Sequence, residues 1–84
     1  MNSKQRRTLE LIFGNPAPVE INWSDIESLL RALGAEFQQA AGSRLRIELN
    51  SVHTVMHIPH PRPIARRGRI KAVRDFLTKA GVKP

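Results

Sequence analysis

Residues 42–57 constrain this chain more than any other stretch. Strict alternation puts Leu45, Ile47 and Leu49 on one side of a strand and Arg44, Arg46 and Glu48 on the other. Asn50-Ser51 follows and fits a two-residue turn, so residues 52–57 return as a second strand. If Leu49 pairs with Val52, Arg46 faces Val55 and Arg44 faces His57. One hairpin face is then apolar. The other carries Arg44, Arg46, His53 and His57 within a few residue widths. Guanidinium groups bind phosphates, and imidazole moves protons near neutral pH.

Charge points the same way. The chain has 84 residues, with fourteen Lys and Arg against seven Asp and Glu, a net charge of +7. That length fits one domain with a modest core. A basic excess of this size favours a polyanionic partner, nucleic acid first, over a mere solubility device. There is no cysteine, hence no disulfide framework and no thiolate metal site. With the polar opening Met1 to Gln5, this predicts a cytoplasmic protein. No apolar run approaches the length of a membrane span or a signal segment.

The remaining segments supply helices to cover the apolar sheet face. Ser3 is expected to cap a first helix over residues 4–13, with Leu9, Ile12 and Phe13 inward. Residues 14–18 (Gly-Asn-Pro-Ala-Pro) stop it. Ser24 and Glu27 have capping-box spacing, which predicts a second helix from Ser24, striped by Ile26, Leu29, Leu30 and Leu33 and ended by Gly34. Trp23 precedes the cap and is expected to pack on the first turn; Met56, like Trp23, reads as core. Residues 35–39 form a first strand. Three prolines make 58–65 an extended loop. A last helix runs from about Arg67 to Ala80, with Ile70, Val73, Phe76 and Leu77 inward and Gly81 at its end. The predicted order is α-α-β-β-β-α, an α+β fold with a three-stranded antiparallel sheet and all helices on one face.

These segments carry a family resemblance. The run Trp23-Ser24-Asp25-Ile26-Glu27-Ser28-Leu29-Leu30-Arg31-Ala32-Leu33-Gly34-Ala35-Glu36 resembles the opening helix and first strand of HicA-type toxins. Gly42-Ser43, then Pro59-His60, Gly68, the helix Arg69 to Leu77 and finally Ala80-Gly81 follow in the family's order. The resemblance spans about residues 22–82, within a single domain 1–84. Residues 1–21 read as an N-terminal helical extension. The resemblance implies a double-stranded-RNA-binding-domain-like fold. It also implies an mRNA interferase (a ribonuclease that halts translation), and a HicB-like antitoxin as partner. On this reading the chain is monomeric alone and a hetero-oligomer with its antitoxin. The family's Gly-Ser-His motif would put its histidine at position 44, where this chain has Arg44. His60 matches the family's second histidine.

The chemistry can also be written without the family. RNA carries its own nucleophile, the 2′-hydroxyl. A ribonuclease using only side chains must take that proton, stabilise the phosphorane and protonate the leaving 5′-oxygen. His57 opposite Arg44 supplies a proton carrier and an anion stabiliser, and His60 a second carrier. His57 equally suits contact with RNA or antitoxin, or an ordinary surface role, as His53 near the turn does. His60 between prolines also suits a structural role. Arg66, Arg67, Arg69, Lys71 and Arg74 gather at the last helix, with Arg67, Lys71 and Arg74 spaced to share a face. Double-stranded-RNA-binding domains hold phosphates with cations at the equivalent place. The alternative for these cations is a solvated helix face. No histidine and carboxylate cluster has metal-ligand spacing, so no metal or other cofactor is expected. Two further readings stay open: a non-enzymatic RNA-binding module on the same fold, and a basic protein binding DNA or an acidic protein by charge alone.

Overall fold

The computed structural model describes residues 1–58 and 63–84. In chain order the elements are α1 (Ser3–Ile12), β1 (Glu20–Asn22), α2 (Trp23–Ala32), β2 (Glu36–Gln39), β3 (Arg44–Leu49), β4 (Val52–His57), β5 (Ile64–Arg66) and α3 (Arg67–Lys79). Strands β2, β3 and β4 form an antiparallel three-stranded sheet in that order. This is the expected α+β fold.

The central hairpin has the register read from the alternation. Leu49 pairs with Val52, Arg46 with Val55 and Arg44 with His57. Asn50 and Ser51 have φ of 51° and 68°. Two positive φ values match the right-handed twist of the strands that the turn joins. Asn50 also donates through Nδ2 to the Ala80 carbonyl at 2.8 Å, which ties the turn to the end of α3. Among the described residues, the Ser51 side chain makes no such bond to offset its left-handed backbone. Ser51→Gly is expected to raise stability by about 1 kcal/mol, or roughly 4–8 °C in Tm by calorimetry; an unchanged or lower Tm contradicts this.

The apolar face packs as expected. Ile47 and Leu49 of β3 and Met56 of β4 meet Ile26, Leu29 and Leu30 of α2 and Ile70, Val73, Phe76 and Leu77 of α3 in one core. Each such side chain, fully buried, stabilises by about 1.5–3 kcal/mol. Leu45 was expected in this core but is only half-buried. Its β2 partner is Gln39, so one flank lacks apolar cover.

Three local expectations are corrected. First, α1 is capped by Asn2, not Ser3. Asn2 Oδ1 accepts from Gln5 N–H and Gln5 Oε1 accepts from Asn2 N–H, each at 2.8 Å. The reciprocal box needs a long polar side chain three residues on, and Gln5 stands at that spacing from Asn2. Second, α2 begins at Trp23, with Asn22 as a cap that makes no side-chain bond. The Ser24 box is not used. The Trp23 N–H instead donates to the Pro63 carbonyl at 2.8 Å, so a tertiary bond satisfies a helix-start donor. Third, part of the proline-rich stretch is paired. β5 runs antiparallel to β1, with Ile21 opposite Ala65 and both buried. Two three-residue strands are too short for alternation to reveal.

Candidate functional site

The outer sheet face divides by charge along the strands. Toward the β3–β4 turn, Glu36 of β2 lies opposite Glu48 of β3, and Glu48 lies opposite His53. Like charges directly opposed are unfavourable. Arg46 offsets this pair through an ion pair with Glu48 at 3.5 Å, and it is half-buried rather than free. At the other end Arg44 and His57 are opposed and both exposed, with no acidic residue beside them in the register.

The His57 ring is held by a residue that alternation does not single out. The Ser43 hydroxyl lies 2.8 Å from His57 Nδ1. The same oxygen is 3.3 Å from Nε2, so it faces the ring edge that joins the two nitrogens. An oxygen this close to both nitrogens lies off the in-plane line of either ring N–H, so the contact orients the ring without selecting one nitrogen. Ser43 reaches the ring because it belongs to the β2–β3 turn and not to the strand. Gly42 has φ of +66°, a left-handed conformation that glycine adopts without a Cβ penalty. The Gln39 amide donates to the Gly42 carbonyl at 3.2 Å, and Ile58 N–H donates to the Ser43 carbonyl at 3.1 Å. The turn is thus fixed from both sides.

His57 and Val55 line one wall of an open groove whose other wall is Gly68, Arg69 and Ala72 of α3. The start of α3 favours anions. Its cap, Arg66, makes no side-chain bond to the first turn, and no acidic residue lies there. The first-turn N–H groups thus lack a side-chain cap, and the positive end of the helix dipole favours an anion there. Arg67 and Lys71 are exposed and form no ion pair among the described residues; Arg66 reaches Glu20 at 3.8 Å, with both side chains open to water. Such an exposed pair competes weakly with a phosphate.

Arg74 departs from the expected backbone-binding face. Its Nε donates to the Ile12 carbonyl at 2.9 Å and its Nη2 to the Gly14 carbonyl at 2.6 Å. The guanidinium is spent on the C-terminal end of α1, where carbonyls lack helical partners and the dipole favours a cation. Arg67 and Lys71 remain on the open surface; Arg74 does not. His60 lies outside the described residues.

A larger groove between α1 and α2 has different chemistry. Trp23, Glu27, Ser28 and Arg31 line it, with Gln5. Arg31 is engaged by Glu27 at 3.2 Å and stacks on the Phe37 ring at 4.4 Å from its centroid. Gln5 is bonded to Ser28. That groove holds no histidine, and its one carboxylate, Glu27, is paired with Arg31, so the Ser43–His57–Arg44 end of the sheet is the candidate site. Among the described residues, no group of three or more His, Cys, Asp or Glu is placed to hold a metal, and no helix is long and apolar enough to cross a membrane.

A small basic α+β domain of helix, three-stranded meander and helix, with a cationic imidazole-bearing sheet face, is the class defined so far. The sequence model of the family described as HicA toxin of bacterial toxin-antitoxin matches residues 23–82. The chain belongs to that family, and is thereby the toxin of a toxin–antitoxin pair with an antitoxin as partner. The match starts at the first residue of α2, leaving α1 and β1 outside it. No curated protein and no solved structure matches the chain.

Proposed function

We propose that this toxin is an mRNA interferase acting in the cytoplasm, with His57 as its proton carrier and Arg44 as its phosphate-binding partner. The observation that carries the reading is the pairing of Arg44 with His57 on an exposed sheet end. Arg44 occupies the position of the family's histidine, and the strand pairing brings an imidazole opposite it. Opposed side chains in such a pair have Cβ atoms about 5 Å apart, so both can reach one scissile phosphodiester. The catalytic imidazole has moved one strand over while the site has stayed in place.

In the reaction, His57 takes the proton of the RNA 2′-hydroxyl. The 2′-oxygen bonds to phosphorus, the bond to the 5′-oxygen breaks, and the leaving oxygen receives a proton. The products are a 2′,3′-cyclic phosphate and a 5′-hydroxyl. Arg44 stabilises the charge that develops on the phosphorane, and His60 is the proposed second proton carrier. Arg46 contributes as the neighbouring cation. Arg66, Arg67, Arg69, Lys71 and the uncapped start of α3 hold the flanking backbone. The steps draw on side chains alone, without a metal or other cofactor. A HicB-like acidic antitoxin covers the Arg44, Arg46 and His57 face, since complementary potential speeds association and hides the site.

Arg44 tests the assignment directly. Arg44→Ala is expected to lower RNA cleavage by about 10²-fold or more, while Arg44→His keeps or raises it by restoring the family arrangement. Cleavage of a defined RNA by both variants is the measurement. Full activity in Arg44→Ala removes the arginine from the mechanism.

The second reading is a non-enzymatic RNA-binding module. The specific observation in its favour is the same arginine, standing where the family has histidine. It predicts bound, uncut RNA.

A further inference from the structure

We infer that the groove between β4 and the start of α3 takes one unstacked base of the bound RNA, and that Gly68 is glycine because a side chain there would fill it. The inference rests on the RNA reading above and deepens it, naming single-stranded RNA as the substrate class.

Gly68 is the second residue of α3, and glycine is a weak helix former that needs another reason to stand in a helix. Backbone conformation does not supply one. Gly34, Gly42 and Gly81 have positive φ, and Gly68 does not. Crowding does not supply one either, since a Cβ on Gly68 would meet no atom within 4 Å. What remains is the open space beside it. Gly68 and Ala72 stand four residues apart, on one row of the helix surface. Both are exposed, and both line the groove of about 400 Å³ whose opposite wall is Val55, Met56 and His57. Along that row α3 puts nothing longer than a methyl group into the groove.

The lining suits a base. Val55 is 50% exposed and offers an apolar contact to a flat ring. Arg69, on the α3 wall, makes no ion pair among the described residues. A guanidinium stacks on flat rings and donates to the acceptor edges of bases. No carboxylate lines the groove. Its volume falls among small-ligand clefts, about 300–1,000 Å³.

Position selects the occupant. His57 and the opposed Arg44 stand on the sheet side of the groove, and exposed Arg67 and Lys71 stand on α3. RNA whose phosphates are held on both sides crosses the groove, and a base between them meets its apolar wall. A base in a duplex is paired and stacked, so only a splayed, single-stranded one can turn in.

Binding of two probes tests this on the full chain. One is a four-nucleotide 2′-fluoro RNA, which keeps phosphates and bases but lacks the nucleophile and cannot be cut. The other is an abasic backbone of equal length and charge. Wild type is expected to bind the first more tightly by about 5-fold or more, the low end for one stacked base. Gly68→Leu and Ala72→Leu each fill the groove from the same wall. Both should fold, with Tm at or above wild type in Gly68→Leu, because leucine is the better helix former. Both should bind the intact probe about as weakly as the abasic one. Equal wild-type affinity for the two probes, no binding of the intact probe, or leucine variants that bind it as wild type does overturns the inference. Leucine variants that keep RNA affinity but lose the antitoxin also overturn it, and give the groove to the antitoxin. If wild type shows the base dependence but cuts no natural RNA, the groove stands and the nuclease reading falls. If the variants bind and cut RNA unchanged, the groove falls and the nuclease reading stands.

Discussion

His57→Ala is expected to abolish growth inhibition and to lower RNA cleavage by about 10²–10⁴-fold, the contribution of one positioned proton carrier. The fold should be untouched. His57 is exposed at the end of β4 and contributes nothing to the buried core. Its ring bonds Ser43 at the surface, and a single such bond is worth about 0.5–1.5 kcal/mol. Circular dichroism and Tm should therefore stay near wild type while activity collapses. RNA affinity should fall only modestly, because Arg44, Arg67, Arg69 and Lys71 remain. Full cleavage by His57→Ala refutes the assignment and shifts it to His60.

Arg74→Ala is expected to have the opposite signature. Two charge-assisted hydrogen bonds to the Ile12 and Gly14 carbonyls are lost, at roughly 1.5 kcal/mol each by the low end of such bonds. The change should cost about 2–3 kcal/mol, or on the order of 10–20 °C in Tm for a domain of this size. It removes the anchor between α3 and the C-terminal end of α1, so α1 should show the largest gain in amide hydrogen exchange. At a temperature where the variant is still folded, RNA affinity and its salt dependence should match wild type. A stable variant with weakened, less salt-dependent RNA binding contradicts this and returns Arg74 to the phosphate-binding surface. Lys71→Ala is the natural control, since Lys71 is exposed on α3.

The contrast between these two residues shows where sequence is a sufficient guide. The register Arg44 opposite His57 was legible because period-two alternation and a two-residue turn leave little choice. A slip by one residue would expose Ile47 and Leu49. The stripes of α2 and α3 were legible for a similar reason: Ile26, Leu29, Leu30 and then Ile70, Val73, Phe76, Leu77 recur at helical spacing.

Other features depend on contacts distant in sequence. Arg74 is separated from Ile12 by 62 positions, and its spacing from Arg67 and Lys71 reports a shared helix face but not what covers part of it. The Ser24 capping box was locally sound, yet the carbonyl of Pro63 claimed the start of α2 from 40 residues away. The β1–β5 ribbon is likewise a long-range pairing of two very short strands. Ser43 was visible only as part of the Gly42-Ser43 motif. Its contact with His57 depends on a turn whose backbone departs from strand alternation. Gly42 was the one available signal, since a glycine at a strand start points to such a turn.

The site's chemistry is the least determined by pattern. Alternation puts an arginine and a histidine together, but their proximity serves binding as readily as catalysis. The measurement that decides is incubation of purified wild-type toxin, free of antitoxin, with a defined RNA, followed by analysis of the ends. The account predicts cleavage that persists in EDTA and leaves 2′,3′-cyclic phosphate and 5′-hydroxyl termini. RNA that is bound yet left intact would contradict it and establish the non-enzymatic module instead.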